Sequence, residues 1–429
     1  MAAGQAVMCP GRTLLVLESS HAAVVAAADP VFVGVDWGNS HHQLCIVDAA
    51  GGIVDQGRFA HDVAGLHLLE GRLRRHADIV GVSIERSEGL LVDAPQQQGY
   101  RLFCVSPKMS ARARERYRLA PVKSDAFDAF VLADSLRHEH RHWRSLAVPS
   151  PLLAELRALT RDRERLIWNQ RDVENQLRAV VQAYHPTVLH LFSSLDRDIS
   201  LAFLRDYPTP AHAGRVGPAR MAAFCARHGY SGRTKPEVLV ERLRDNLLSA
   251  SSGTTAGKAL SAVLFVDQLD LLNSQVRTMS KRIRERLTAH PDAQIFLSFP
   301  GMGKITAATM LAVMGEDRMR FPTADVLLAE AGAAPVTQAS GRTRRVRFRY
   351  AANKRMRHAI DWWTFVSVRE NDWAREAYRQ ARARGQQHNR ALRGIGARWT
   401  RILWRCWTDH SRYNPELHLN KQPTRPVSG

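Results

Sequence analysis

Cysteine is scarce. Five residues in 429 (Cys9, Cys45, Cys104, Cys225 and Cys406) are too few and too scattered for a disulfide scaffold, and none forms a CxxC pair. Reduced thiols and no structural metal are therefore expected. No run of eighteen apolar residues occurs, so no membrane span is expected. Residues 1–30 lack the ordered basic, apolar and cleavage regions of a secretory signal, and their Ala- and Gly-rich composition predicts a disordered extension. Acid is short as well: 41 Asp plus Glu face 61 Lys plus Arg, a formal charge of +20 and a pI near 10.5. This balance suits a polyanionic partner, and the excess is concentrated: residues 341–358, "GRTRRVRFRYAANKRMRH", hold eight Lys or Arg and no acid. Arg alternates there with Val, Phe and Tyr and builds no apolar helical face, which favours nucleic acid over a membrane surface.

The length predicts two or three domains. The stretch "VFVGVDWGNS", residues 31–40, is an apolar strand that ends on Asp36 and then turns at glycine. An acid there serves a phosphate turn in actin-like ATPases, a catalytic metal in RNase H-like nucleases, or simply starts a turn. Strands "HQLCIVDA" and "IVDQGRF" follow, then a helix over 62–76, a strand "IVGVSIE" at 79–85 ending on Glu85, a helix after Ser87, a strand "RLFCVS" and a basic helix "KMSARARERY". Strands alternating with helices after an antiparallel start predict an α/β domain with a mixed sheet. The segment "VKSDAFDAFVLADSLR" predicts a helix capped by Ser124, with Asp125 and Asp128 on one face. Two like charges there call for a positive neighbour, and Lys123 lies beside them. His41 and His42 read as surface residues of a strand.

From Leu152 the apolar spacing alternates between three and four residues as far as Tyr184, with Arg163 and Gln170 as polar interruptions, and the same rhythm returns over 258–289. Both read as long coiled-coil-like helices, for which an intrachain antiparallel pair and an oligomer interface fit equally. Between them, a helical subdomain is expected at 219–249, followed by "SASSGTTAG" as a linker. The segment "IFLSFPGMGKITAATMLAVMG" predicts a helix-hairpin-helix, in which Gly301, Gly303 and Lys304 meet a duplex phosphate through backbone N–H groups and charge; the GxxxxGK[ST] spacing of a nucleotide loop is missing. The expected domains are 31–148, 149–290 and 291–410, with a disordered tail over 411–429.

Asp36, Glu85, Asp125 and Asp128 run in the order strand, strand, helix, helix, which in an RNase H-like sheet converges on one edge. Four carboxylates meeting there repel, and divalent cations compensate. In sequence, "VGVDWGNS", "SIERSEG", "KSDAFDAFVLAD", "PGMGKITA" and "AEAGAAPVTQASGRTRR" resemble the DEDD transposases of the IS-one-ten family of insertion sequences, in the family's order from about residue 31 to 405. An actin-like ATPase would also need a second phosphate loop and an adenosine motif, neither of which is found. The resemblance implies a RuvC-like, RNase H-like domain, a helical insertion and a mainly helical C-terminal transposase domain. It implies Asp36, Glu85, Asp125 and Asp128 as a tetrad for Mg²⁺ or Mn²⁺, and Ser340 of "QASG" as a nucleophile that forms a phosphoserine link. Arg342, Arg344 or Arg345 would stabilise the pentavalent charge, with Lys123, Arg347, Lys354 and Arg355 as further nucleic-acid contacts. It also implies element-end and target DNA, a structured non-coding guide RNA, a dimer or tetramer, and a cytoplasmic, nucleoid-associated bacterial enzyme. The chain departs from the family at "WGNS", where members often carry a lysine, and at "YAANKR", where a Lys-Arg-Gly-Asn run is usual. The alternatives are a RuvC-type junction nuclease without a covalent step and a non-catalytic nucleic-acid-binding protein.

Overall fold

The computed structural model describes residues 29–117, 124–245, 250–341 and 343–416, without the side chains of residues 245 and 344. Residues 1–28 of the expected extension over 1–30, residues 417–429 of the expected tail over 411–429, Lys123 and Arg342 lie outside the described residues. The chain divides after Val148 into two compact units.

The first unit is built on a five-stranded sheet of order β3-β2-β1-β4-β5. The strands are β1 (Val31–Asp36), β2 (His41–Val47), β3 (Ile53–Ala60), β4 (Ile79–Ile84) and β5 (Leu102–Cys104). β1, β2 and β3 pair antiparallel, whereas β4 runs parallel to β1 and β5 parallel to β4. The helices are α1 (Val63–Leu73), α2 (Leu90–Gln97), α3 (Pro107–Glu115) and α4 (Asp125–Glu139). β1 is apolar up to its last residue, Asp36, because both of its faces are covered. Val31, Val33 and Val35 point into one core with Leu69, Leu73, Leu91 and Val92 of α1 and α2, while Phe32 joins Ala129, Ala133 and Leu136 of α4 on the other face. The mixed sheet with helices on both faces is consistent with a DEDD RNase H-like enzyme.

In the second unit, α5 (Pro151–Tyr184) and α10 (Ser252–Ala289) pair antiparallel within the chain. Leu153 and Leu156 share a core with Ile283 and Leu287, and Leu177 and Val181 share one with Ala259, Ala262 and Val266. The polar interruptions are matched across the pair: Arg163 donates to Ser280 at 2.7 Å and Gln170 to Asn273 at 2.5 Å. Helices α6 (Asp198–Asp206), α7 (Pro210–Gly214), α8 (Pro218–Arg227) and α9 (Pro236–Asp245) cover one end of this pair. The expected linker "SASSGTTAG" is corrected: Ser251 caps α10 by accepting from the Thr254 N–H, and the helix runs on from Ser252.

The remainder comprises α11 (Ala293–Leu297), α12 (Lys304–Met314), α13 (Ala324–Glu330), the hairpin β6 (Val336–Ser340) and β7 (Thr343–Arg347), α14 (Lys354–Glu370), α15 (Asp372–Ala383) and α16 (His388–Thr408). Trp363, Trp399 and Trp407 anchor its core. Among the described residues no helix is long and apolar enough to cross a membrane.

Candidate active site

The register of the parallel pair places two acids side by side. Val35 is opposite Ile84, so the next residues on each strand, Asp36 and Glu85, leave the C-terminal ends of neighbouring strands. Both are half-buried. The loop after Asp36 is pinned from below: the Gly38 N–H donates to Nδ1 of His42 at 3.2 Å, and His42 Nε2 bonds His61 Nδ1 at 2.8 Å. His42 is 2% exposed, and burial, then the neighbouring His61 and His41, push its pKa down to about 4. The surface expectation is thus corrected for His42, which shares its sheet face with Leu44 and Ile46; His41 is exposed.

Helix α4 runs antiparallel to β1. Its C-terminal end lies at the start of β1, where His140 packs on Phe32 with ring centroids 5.3 Å apart, and Arg137 donates to the carbonyl of Ala49 beyond β2. The first turn of α4 therefore comes to the end of the sheet where Asp36 and Glu85 emerge. Ser124 caps that turn, its hydroxyl accepting from the Phe127 N–H at 3.3 Å. Gly34 allows the helix in: a Cβ there would lie 2.1 Å from the Ala129 carbonyl oxygen.

Asp125 is exposed and Asp128 is 4% exposed. The positive neighbour of Asp128 is Arg114 of α3, at 2.8 Å. Asp134, two turns further along α4, takes Tyr117 and, at 2.7 Å, Arg137. The four acids fit a hard divalent cation by donor chemistry and by the sheet end they share. They are not drawn into a nest: among the described residues no three His, Cys, Asp or Glu side chains are grouped to hold a metal ion. Asp36, Glu85, Asp125 and Asp128 are the residues that would hold one, with Arg114 the cation to be exchanged at Asp128. Sequence reasoning missed Arg114. Its signal was the basic helix "KMSARARERY", whose Arg114 and Arg116 are engaged by Asp128 and, at 2.5 Å, by Glu139.

Ser340 belongs to the second unit. It ends β6 and pairs with Thr343 of β7, and Gly341 next to it adopts φ +56°. Gln338 pairs with Arg345 and Val336 with Arg347, so the period-2 alternation puts Arg345 and Arg347 on the hairpin face that carries Ser340. Ser340, Arg345 and Arg347 are exposed, and the Arg344 backbone pairs with Ala339. Lys354 opens α14 and is exposed, whereas Arg355 is bonded to Glu164 at 2.7 Å and to Thr160 at 3.0 Å.

The "PGMG" turn joins α11 to α12. Gly301 has φ +73°, and a Cβ on it would meet the Ser367 backbone nitrogen of α14 at 2.7 Å, so the turn requires glycine on two counts. Trp363 braces the turn by donating to the Pro300 carbonyl at 3.0 Å. Gly303 caps α12 without a side chain, and Lys304 beside it is exposed. A cavity of about 720 Å³ opens at this turn, lined by Phe299, Gly301, Gly303, Trp362, Glu370 and Tyr413 among others.

A mixed sheet with acids at the ends of its two central parallel strands, together with an acid-bearing helix start, is the arrangement of a DEDD-type nuclease domain. Residues 33–186 match the DEDD domain of IS110, described as Transposase, and residues 293–379 match the family described as Transposase IS116/IS110/IS902. The "Mini-circle putative transposase for IS117" of Streptomyces coelicolor is 34% identical over 401 residues, covering 90% of this chain and 96% of the relative. The 42 kDa protein of insertion element IS900 from Mycobacterium paratuberculosis is 30% identical, covering 90% of this chain and 98% of its own. The 44.8 kDa protein of insertion element IS116 from Streptomyces clavuligerus is 27% identical over 90% and 97% of the two chains. The chain belongs to the IS116/IS110/IS902 family of transposases, enzymes that cleave and rejoin DNA.

Proposed function

We propose that this transposase cuts and rejoins the ends of its insertion sequence with Asp36, Glu85, Asp125 and Asp128 as the metal-holding acids and Ser340 as the nucleophile. The observation that carries the reading is the register of β1 and β4, which sets Asp36 and Glu85 on adjacent strand ends beside the start of α4. Mg²⁺ or Mn²⁺ bound by these acids would supply charge neutralisation at the phosphodiester. The work of the chain's own groups is separate. The Ser340 oxygen forms a bond to phosphorus as the strand's P–O bond breaks, its proton passes to solvent, and the departing oxygen gains one. Arg345 and Arg347, on the face of the hairpin that carries Ser340, stabilise the charge on the non-bridging oxygens.

The exposed arginines of β7 and the N–H groups opening α12 at the "PGMG" turn dock the DNA backbone, the latter as a helix-hairpin-helix. A structured RNA from the element's ends directs site choice, copies associate through the coiled-coil-like α5 and α10, and the protein works at the nucleoid. The domains are then 31–148 for the acids, 149–290 for the helical insertion and 291–410 for the serine.

The test is cleavage of duplex DNA carrying an element end. Wild type cuts when Mg²⁺ or Mn²⁺ is added and stops with chelator, and Asp36→Asn and Glu85→Gln bind the DNA without cutting it. Metal-independent cutting, or cutting by either variant, overturns the assignment.

A further inference from the structure

The two residues that follow the paired strand ends are stacked on one another. Arg86, next to Glu85, holds its guanidinium carbon 3.7 Å from the ring centroid of Trp37, next to Asp36. Trp37 is a fixed platform: it is half-buried, packs on the core that contains Val35 and Ile84, and lies 6.4 Å from the buried His42 ring. Arg86 is exposed.

Its surroundings make this placement informative. Arg114, Arg116 and Arg137 of the same unit are each engaged by a carboxylate, at 2.8, 2.5 and 2.7 Å. Arg86 sits next in sequence to one acid and is stacked on the neighbour of another, yet among the described residues no carboxylate pairs with it. The stack holds the guanidinium by its face, and a planar guanidinium held by its face presents its N–H groups edge-on. Five donors in a rigid fork match the two non-bridging oxygens of a phosphodiester. A lysine on the same loop could still rest its charge on the ring but would lack the fork.

We propose that Arg86, braced on Trp37, is a phosphate seat that holds a DNA backbone phosphate next to the scissile one at the Asp36–Glu85 end of the sheet. The inference rests on the reading of Asp36 and Glu85 as the metal-holding acids, and it adds a substrate contact to that site. The seat is sequence-independent, because a phosphate carries no base information. Trp37 is a positioning residue in this scheme and touches no substrate.

The experiment uses the full-length chain carrying Asp36→Asn, so that binding is read without turnover, and a duplex with an element end titrated over a range of salt. Adding Arg86→Ala weakens binding about tenfold and lowers the slope of log affinity against log salt by about one, the signature of a single lost phosphate contact. Arg86→Lys restores the slope but only part of the affinity, and Trp37→Leu, which keeps the apolar packing, weakens binding while the slope holds. In the otherwise wild-type chain, the cleavage that Arg86→Ala loses at low DNA is recovered at saturating DNA. Unchanged affinity and slope in Arg86→Ala overturn the seat, as does a loss of cleavage that saturating DNA does not recover. Cleavage by the Asp36→Asn chain sinks the acid-site reading itself, whereas an inert Asp36→Asn with an unaffected Arg86→Ala sinks only the seat.

Discussion

Gly34→Ala tests how the acids are brought together. Gly34 is in the middle of β1, and a Cβ built on it would stand 2.1 Å from the Ala129 carbonyl oxygen and 2.4 Å from the Ala133 nitrogen. Both obstacles are backbone of α4 and have no rotamer to change. Carbon needs about 3.5 Å from such neighbours, so the helix must retreat by roughly 1.4 Å or the strand must bend. Overpacking of this kind costs about 1–3 kcal/mol, and the backbone contacts put this case at about 3. For a unit of this size that lowers Tm by about 10 °C. The functional loss is larger than the stability loss, because Asp125 and Asp128 precede Ala129 on the same helix and move with it. A displacement of about 1 Å at a reacting centre costs about a hundredfold in rate. The assay is single-turnover cleavage well below the variant's Tm, with DNA binding measured in parallel. Reduced cleavage with near-normal binding is expected. A variant that melts with wild type and cuts at the wild-type rate refutes the packing of α4 on β1 as the device that positions the acids.

Two further outcomes follow from buried groups. Arg114→Gln leaves the Asp128 carboxylate, 4% exposed, without its cation, which costs about 3 kcal/mol in the absence of metal; adding Mg²⁺ or Mn²⁺ should raise the variant's Tm more than the wild type's, and equal shifts would mean that Asp128 takes no part in metal binding. His185 is fully buried with neither ring nitrogen hydrogen-bonded, and burial lowers its pKa from 6.5 to about 4. The unfolded chain therefore binds a proton that the folded chain refuses between pH 6.5 and 4. Stability is complete above that window and falls by about 3 kcal/mol through it as pH drops. His185→Phe should flatten this part of the pH profile of thermal unfolding, and an unchanged slope would show that His185 is not the group responsible.

Features set by local chemistry were legible in the sequence, and those set by distant partners were not. The Ser124 cap and the strand ending on Asp36 are written within a few residues of themselves, and both appear in the structure. His42 was readable from phase, since His42, Leu44 and Ile46 alternate onto one face of β2, but adjacency to His41 suggested a polar surface pair. The small polar residues of "SASSGTTAG" suggested a linker by composition, although a serine hydroxyl three residues before a free N–H also caps a helix. Arg163 and Gln170 looked like interruptions on one helix; only pairing with Ser280 and Asn273, more than a hundred residues away, shows them to be satisfied within the chain. The Arg114–Asp128 pair was hidden for a related reason: the sequence demanded a positive neighbour, and the nearest one in the chain, Lys123, drew attention from the one supplied by the preceding helix. Arg355 shows the converse limit, because charge alone gives no warning that Glu164 engages it.

The central claim is that these acids and Ser340 act on one phosphodiester, and the most direct measurement is the covalent adduct between protein and DNA. End-labelled element DNA is incubated with Mg²⁺ and full-length protein, and the products are separated under denaturing conditions. A labelled protein–DNA species that forms with wild type and is absent with Ser340→Ala and with Asp36→Asn, both of which retain DNA binding, is the predicted result. Strand cleavage without any adduct, or an adduct that persists in Ser340→Ala, would contradict it.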